Sequence, residues 1–81
     1  MEKKIIINST AGLHASLAAK VVQTATKYDV DIKLLYKDKI VDVKSILGLI
    51  SLAIPNGEDV LLIAKGKDAE VAMNEIEKIL S

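Results

Sequence analysis

Ile32-Lys33-Leu34-Leu35-Tyr36-Lys37-Asp38-Lys39-Ile40-Val41-Asp42-Val43 is the stretch on which the architecture turns. Ile32 to Lys37 and Ile40 to Val43 read as two strands, and the Lys37-Asp38-Lys39 connection between them is short enough for a hairpin. Upstream, Ile5 to Ile7 is β-branched and reads as a strand, followed by the turn-rich loop Asn8-Ser9-Thr10-Ala11-Gly12. Ser16 to Tyr28 then places Ala18, Val21, Val22 and Ala25 at helical spacing, with His14 or Ser16 as the residue capping its start. Downstream comes Lys44-Ser45-Ile46-Leu47-Gly48-Leu49-Ile50-Ser51-Leu52, in which Ser45 precedes an apolar stretch and suits the N-cap of a short helix. Pro55-Asn56-Gly57 is a turn and Val60 to Ala64 a fourth strand. Asp68 to Leu80 is a last helix that turns Ala69, Ala72, Met73, Ile76, Ile79 and Leu80 inward. The order β-α-β-β-α-β-α predicts an α+β fold of two layers, an antiparallel sheet with three helices on one face. Such a sheet leaves its other face to solvent.

The chain has 81 residues, room for one domain (residues 1–81) and one core. A domain this small buries only about 60–65% of the surface its unfolded chain exposes. A deep cleft would take core from a fold with little to spare, so function is expected on the surface. Eleven basic residues, all Lys, balance eleven acidic ones, so no general field draws the chain to nucleic acid or an anionic membrane. Bidentate Arg contacts are unavailable, and Tyr28 and Tyr36 alone make no base-stacking platform, so no nucleic-acid partner is expected. The chain has no Cys, which excludes disulfides, Cys-ligated zinc and thiol catalysis. The apolar run at the start, Ile5-Ile6-Ile7, is far shorter than a secretory signal or membrane span, so no membrane insertion and a cytoplasmic location are expected.

His14 is the one histidine, and it stands at a helix entrance. An imidazole's ordinary pKa of about 6.5 leaves much of it neutral at cellular pH, with a ring nitrogen free to act as nucleophile. A phosphoryl group there would meet unpaired helix N–H groups and the positive end of the helix dipole. On these residues alone two readings stand: a transient phosphohistidine, or a surface histidine that caps the helix. Ser45 likewise reads as a cap or as a phosphorylation site, since a dianion at a helix N-terminus is electrostatically tolerated. One histidine without acids at ligand spacing makes no metal site, and no catalytic triad, Gly-rich phosphate loop or cofactor signature is present.

Two segments together carry a resemblance. Gly12-Leu13-His14-Ala15 followed by a helix, and Lys44-Ser45-Ile46-Leu47-Gly48-Leu49-Ile50-Ser51-Leu52, resemble HPr, the histidine-containing phosphocarrier family of the bacterial sugar phosphotransferase system. Val22-Gln23-Thr24-Ala25, Asp31-Ile32 and Gly57-Glu58-Asp59-Val60 follow in register, so the resemblance covers essentially the whole chain. It implies an open-faced β-sandwich with strand order 1-4-2-3. It implies that His14 accepts phosphate from enzyme I and passes it to sugar-specific acceptor proteins. Ser45 would be modified by an ATP-dependent HPr kinase/phosphorylase, as a signal of carbon status. Leu47 and Ile50 fall where the family carries an apolar docking patch. The chain would be a substrate of kinases and not an enzyme itself, and no cofactor is implied.

The family pattern after the histidine runs Ala-Arg-Pro-Ala, whereas here it runs Ala15-Ser16-Leu17-Ala18. Ser16 stands where the resemblance places an Arg that neutralises the phosphoryl group and contacts partners, and Leu17 where a Pro would stiffen the helix start. Ala11 replaces a usual Thr. Losing a charge-assisted hydrogen bond costs roughly 1.5–3 kcal/mol, or about 10–150-fold in an equilibrium. The expectation is slower phosphorylation of His14, or a different donor, and weakened docking to a catabolite-control transcription factor. The surroundings of Ser45 keep the pattern more closely. A regulatory relative of the Crh type, working through Ser45, is the second reading, although the strict Crh pattern lacks the histidine. A protein-interaction module that has lost phosphotransfer is the third.

Alternation along the strands turns Ile5, Ile7, Ile32, Leu34, Val41, Val43, Val60 and Leu62 toward the helices. Ile6, Leu35, Ile40, Leu61 and Ile63 then point outward and, under the 1-4-2-3 order, lie side by side across the open face. A contiguous apolar patch marks an interface, so a homodimer or partner complex through this face is expected unless the stems of Lys4, Lys33 and Lys65 cover it.

Overall fold

A computed structural model describes all 81 residues. The elements are β1 (Glu2–Ile6), α1 (Ala15–Thr26), β2 (Asp31–Tyr36), β3 (Lys39–Asp42), α2 (Ile46–Ser51), β4 (Asp59–Lys65) and α3 (Ala69–Leu80). The strands form one antiparallel sheet in the order β1-β4-β2-β3, and the three helices supply the second layer, as expected. No helix is long and apolar enough to cross a membrane.

The hairpin is tighter than its sequence suggests. Lys39 pairs with Tyr36, leaving only Lys37 and Asp38 in the loop. Lys37 takes a positive φ of 57°, the backbone that the first residue of a type II′ turn requires. The first strand also begins earlier than Ile5. Glu2, Lys3 and Lys4 pair with Ile63, Leu62 and Leu61. Lys3 falls on the helical side of the sheet, where its ammonium pairs with Glu77 of α3. Helix α1 ends two residues before Tyr28, because the N–H groups of Lys27 and Tyr28 bond three residues back, to Thr24 and Ala25, and tighten the last turn.

Twenty-one buried side chains form one core between the layers. Ile5, Ile32, Leu34, Val60 and Leu62 of the sheet, with Ile7 and Val43 just past the ends of β1 and β3, meet Ala18, Val21 and Ala25 of α1 and Ala72, Met73, Ile76 and Leu80 of α3. Burying each large apolar side chain stabilises the fold by about 1.5–3 kcal/mol. Val41, expected inward, is only half-buried, because it lies on the short edge strand β3.

On the open face the register corrects one expectation. Leu61, Leu35 and Ile40 do stand in one row, with Lys4 at its end. Ile63, however, shares its row with Glu2, Lys33 and Asp42, and Ile6 is opposite Asp59. The apolar surface is therefore the row Leu61–Leu35–Ile40 with Ile63 next to Leu61 along β4, while Ile6 stands apart, and ion pairs flank it: Lys4 with Asp59, and Lys33 with Asp31 and Asp42. The hydrogen bond and charge of Lys33 hold the Asp31 carboxyl below its usual range, while that of Asp31 raises Lys33. Leu35, Leu61 and Ile63 are half-buried, whereas Ile6 and Ile40 stay 54% and 56% exposed.

Candidate functional site

The loop from Asn8 to His14 is pinned from both sides. At its start, the Asn8 N–H donates to the Leu80 carbonyl, and the Ser9 N–H to Asn56 Oδ1. Further on, the Leu13 N–H donates to the Ile54 carbonyl at 2.8 Å. Gly12, between them, has φ +70°, and a Cβ there would sit 2.4 Å from the Ile54 oxygen. Only glycine allows the loop to lie this close to the segment before Pro55. Leu13 is buried, which anchors the loop beneath the residue that follows it.

That residue, His14, is exposed, and it settles the choice between the two candidate caps. Its extended backbone (φ −92°, ψ 175°) makes it the N-cap of α1, and Nδ1 accepts a hydrogen bond from the Leu17 N–H at 3.4 Å. Nδ1 is thus the nitrogen turned toward the helix end, where the first-turn N–H groups have no intrahelical acceptor. Ser16 lies exposed in that turn, and Leu17 is half-buried against the core. The first turn holds no acid. The histidine loop, α1, α2 and the turn at 54–57 carry a single charged side chain, Lys20, which the sequence reading missed; the signal was a stretch from Ile5 to Thr26 otherwise free of Lys, Asp and Glu.

Helix α2 packs against α1. Ser45 is its N-cap, and Ser45 Oγ accepts from the Gly48 N–H at 3.1 Å. The preceding turn is braced by the Asp42 carboxylate, which accepts from the Lys44 N–H, while the Lys44 ammonium donates to the Tyr28 carbonyl. On the short helix only Leu49 is buried; Leu47 is 77% and Ile50 37% exposed. The fold therefore gathers His14, Ser16, Leu17, Ser45, Leu47 and Ile50 on two neighbouring helices. It sets Ile6, Leu35, Ile40, Leu61 and Ile63 on the opposite face of the sheet. The surface grooves are lined by other residues, so His14 and Ser45 stand on open surface. The arrangement offers an exposed imidazole nitrogen at the start of α1, a backbone N–H beside it, and an exposed apolar patch on the next helix.

A family model described as PTS-HPr, the PTS HPr component phosphorylation site, matches residues 1–81. The phosphocarrier protein HPr of Haloferax volcanii is 40% identical over all of this chain and 93% of its own length. The crystal structure of a phosphocarrier protein HPr from Bacillus anthracis superposes with a TM-score of 0.95 at 33% identity, covering 100% of this chain and 96% of that one. Crh of Bacillus subtilis, crystallised as a domain-swapped dimer, superposes with a TM-score of 0.78 at 38% identity over 95% of this chain and 88% of that one. A match spanning every residue, a relative at this identity and the shared four-stranded architecture place this chain in the HPr family of the phosphotransferase system.

Proposed function

We propose that the chain is a phosphocarrier whose acceptor atom is Nδ1 of His14. The observation that carries this reading is the cap: an exposed imidazole whose Nδ1 lone pair points at the free end of α1. The Nδ1 lone pair forms the new N–P bond as the bond from phosphorus to the donor, phospho-enzyme I, breaks and the donor keeps its electron pair. The Leu17 N–H then passes from Nδ1 to a phosphoryl oxygen, and the Ser16 N–H is available for a second bond. The phosphoryl group leaves the same way, to a sugar-specific acceptor protein, with Ser16, Leu17, Leu47 and Ile50 as the docking surface. Such a cytoplasmic carrier is a substrate rather than an enzyme.

Ser45 is the regulatory position in this reading. A phosphate on its Oγ, placed by an HPr kinase/phosphorylase, would meet the start of α2 next to Leu47 and so alter the docking patch. A Crh-like regulator acting through Ser45 is the second reading, favoured by Ser16 standing in place of an arginine and by the 38% identity to Crh. The test is intact-protein mass after incubation with enzyme I and phosphoenolpyruvate, and separately with HPr kinase and ATP. An acid-labile phosphate lost in His14→Ala is the expected result. An acid-stable phosphate on Ser45 alone makes the chain a regulator. No phosphate in either reaction leaves an interaction module.

A further inference from the structure

We propose that Lys20 supplies the cation that a phosphoryl group on His14 requires; this rests on the carrier reading above. Lys20 is the lone charged side chain of α1, and neither the histidine loop, nor α2, nor the turn at 54–57 brings another toward His14. It is exposed and forms no ion pair and no side-chain hydrogen bond. Its helical neighbours at three and four residues, Ser16, Leu17, Gln23 and Thr24, include no acid.

The helical net places it correctly. At about 100° per residue, Lys20 projects about 40° from Ser16 and about 60° from Leu17, on the strip of surface between them. Leu17 is the residue whose N–H donates to His14 Nδ1, and Ser16 precedes it in the same first turn. Lys20 is about 6 Å along the axis from Ser16. Its Cα–Cβ bond tilts toward the helix N-terminus, so its flexible four-carbon stem runs back over the first turn. The exposed ammonium thus meets the phosphoryl group from the solvent side.

The test phosphorylates His14 with phosphoramidate, so that Nδ1–P forms, the P–N bond of the reagent breaks and ammonia leaves. The proton titration of the phosphoryl group is then followed by 31P NMR in the wild type, Lys20→Met, Lys20→Arg and the control Lys27→Met at the far end of α1. A nearby ammonium favours the dianion. Lys20→Met is therefore expected to raise the titration midpoint by about 0.3–0.7 unit, a two- to five-fold effect typical of an exposed charge pair. Lys20→Arg and Lys27→Met keep the wild-type midpoint. A wild type that takes phosphate on His14 but titrates identically in Lys20→Met overturns the role of Lys20 alone, as does an equal shift in Lys20→Arg. A folded wild type that takes no phosphate on His14 from either phosphoramidate or enzyme I overturns the carrier reading and the role of Lys20 together.

Discussion

A phosphoryl group on His14 Nδ1, as proposed, would find backbone N–H donors and no guanidinium, because the second residue of α1 is Ser16 and the chain contains no arginine. Ser16→Arg places a planar fork of donors one turn before Lys20 and within reach of the same oxygens. The expected gain in phosphate transfer from enzyme I is about tenfold, the lower end of what a charge-assisted hydrogen bond supports. The two cations serve one anion, so their effects do not add: Ser16→Arg gains more in a Lys20→Met background than in the wild type. Equal gains in both backgrounds, read as initial rates of phosphohistidine formation, would mean that the two side chains act on different groups. His14 itself was legible as a residue worth naming, yet its role as cap was not separable from that of Ser16. Both side chains can accept a hydrogen bond, and only the extended backbone at His14 decides between them. Gly12 was legible as part of a turn. The reason it must be glycine was not, because the atom it approaches belongs to Ile54, far along the chain.

Among the elements, α2 is the one held most by local devices. Its six residues bury only Leu49, so its two ends matter. Ser45 Oγ closes the start. The end is closed by Ala53, whose N–H donates to the Ile50 carbonyl with φ at 49°. A side chain in this left-handed backbone is strained, and glycine is the residue that relieves it. Ala53→Gly is expected to stabilise the protein by about 0.5–1 kcal/mol, after the greater freedom of glycine in the unfolded chain is subtracted. Thermal unfolding would then move up by a few degrees. An unchanged or lower midpoint would show that the Ala53 backbone carries no strain. Helix α2 was legible from Ser45 and the apolar run after it, whereas the left-handed residue at its end had no glycine to announce it. The first strand shows the complementary failure. Glu2-Lys3-Lys4 has no β signature, and what recruits it is a partner, the Leu61–Ile63 segment of β4, that single-strand reasoning does not see.

For the molecule as a whole, two surfaces lie back to back across a sheet. The helical side carries His14, Ser45 and the α2 patch, so a second copy seated on the sheet side would leave His14 and Ser45 uncovered. The row Leu61–Leu35–Ile40 is the centre of such a contact, and the ion pairs around Lys4 and Lys33 form its polar rim. A contact built on one short row with Ile6 and Ile63 beside it falls below the roughly 1,200 Å² of a stable interface, so association through it is weak and concentration-dependent. Sedimentation equilibrium should give a mass near 8.7 kDa in dilute solution, rising with concentration. Ile40→Lys, which puts a charge at the exposed end of the row, should hold the mass at the monomer value, and Ile50→Lys on the helical side should leave the rise unchanged. A mass fixed at 8.7 kDa at every concentration removes the sheet face as an interface. A dimer that survives Ile40→Lys points instead to exchange of a segment between two copies; Crh was crystallised as a domain-swapped dimer. In that case the exchanged element should be an edge strand, and β1 is the candidate, since it pairs only with β4 and its loop to α1 is long enough to act as a hinge.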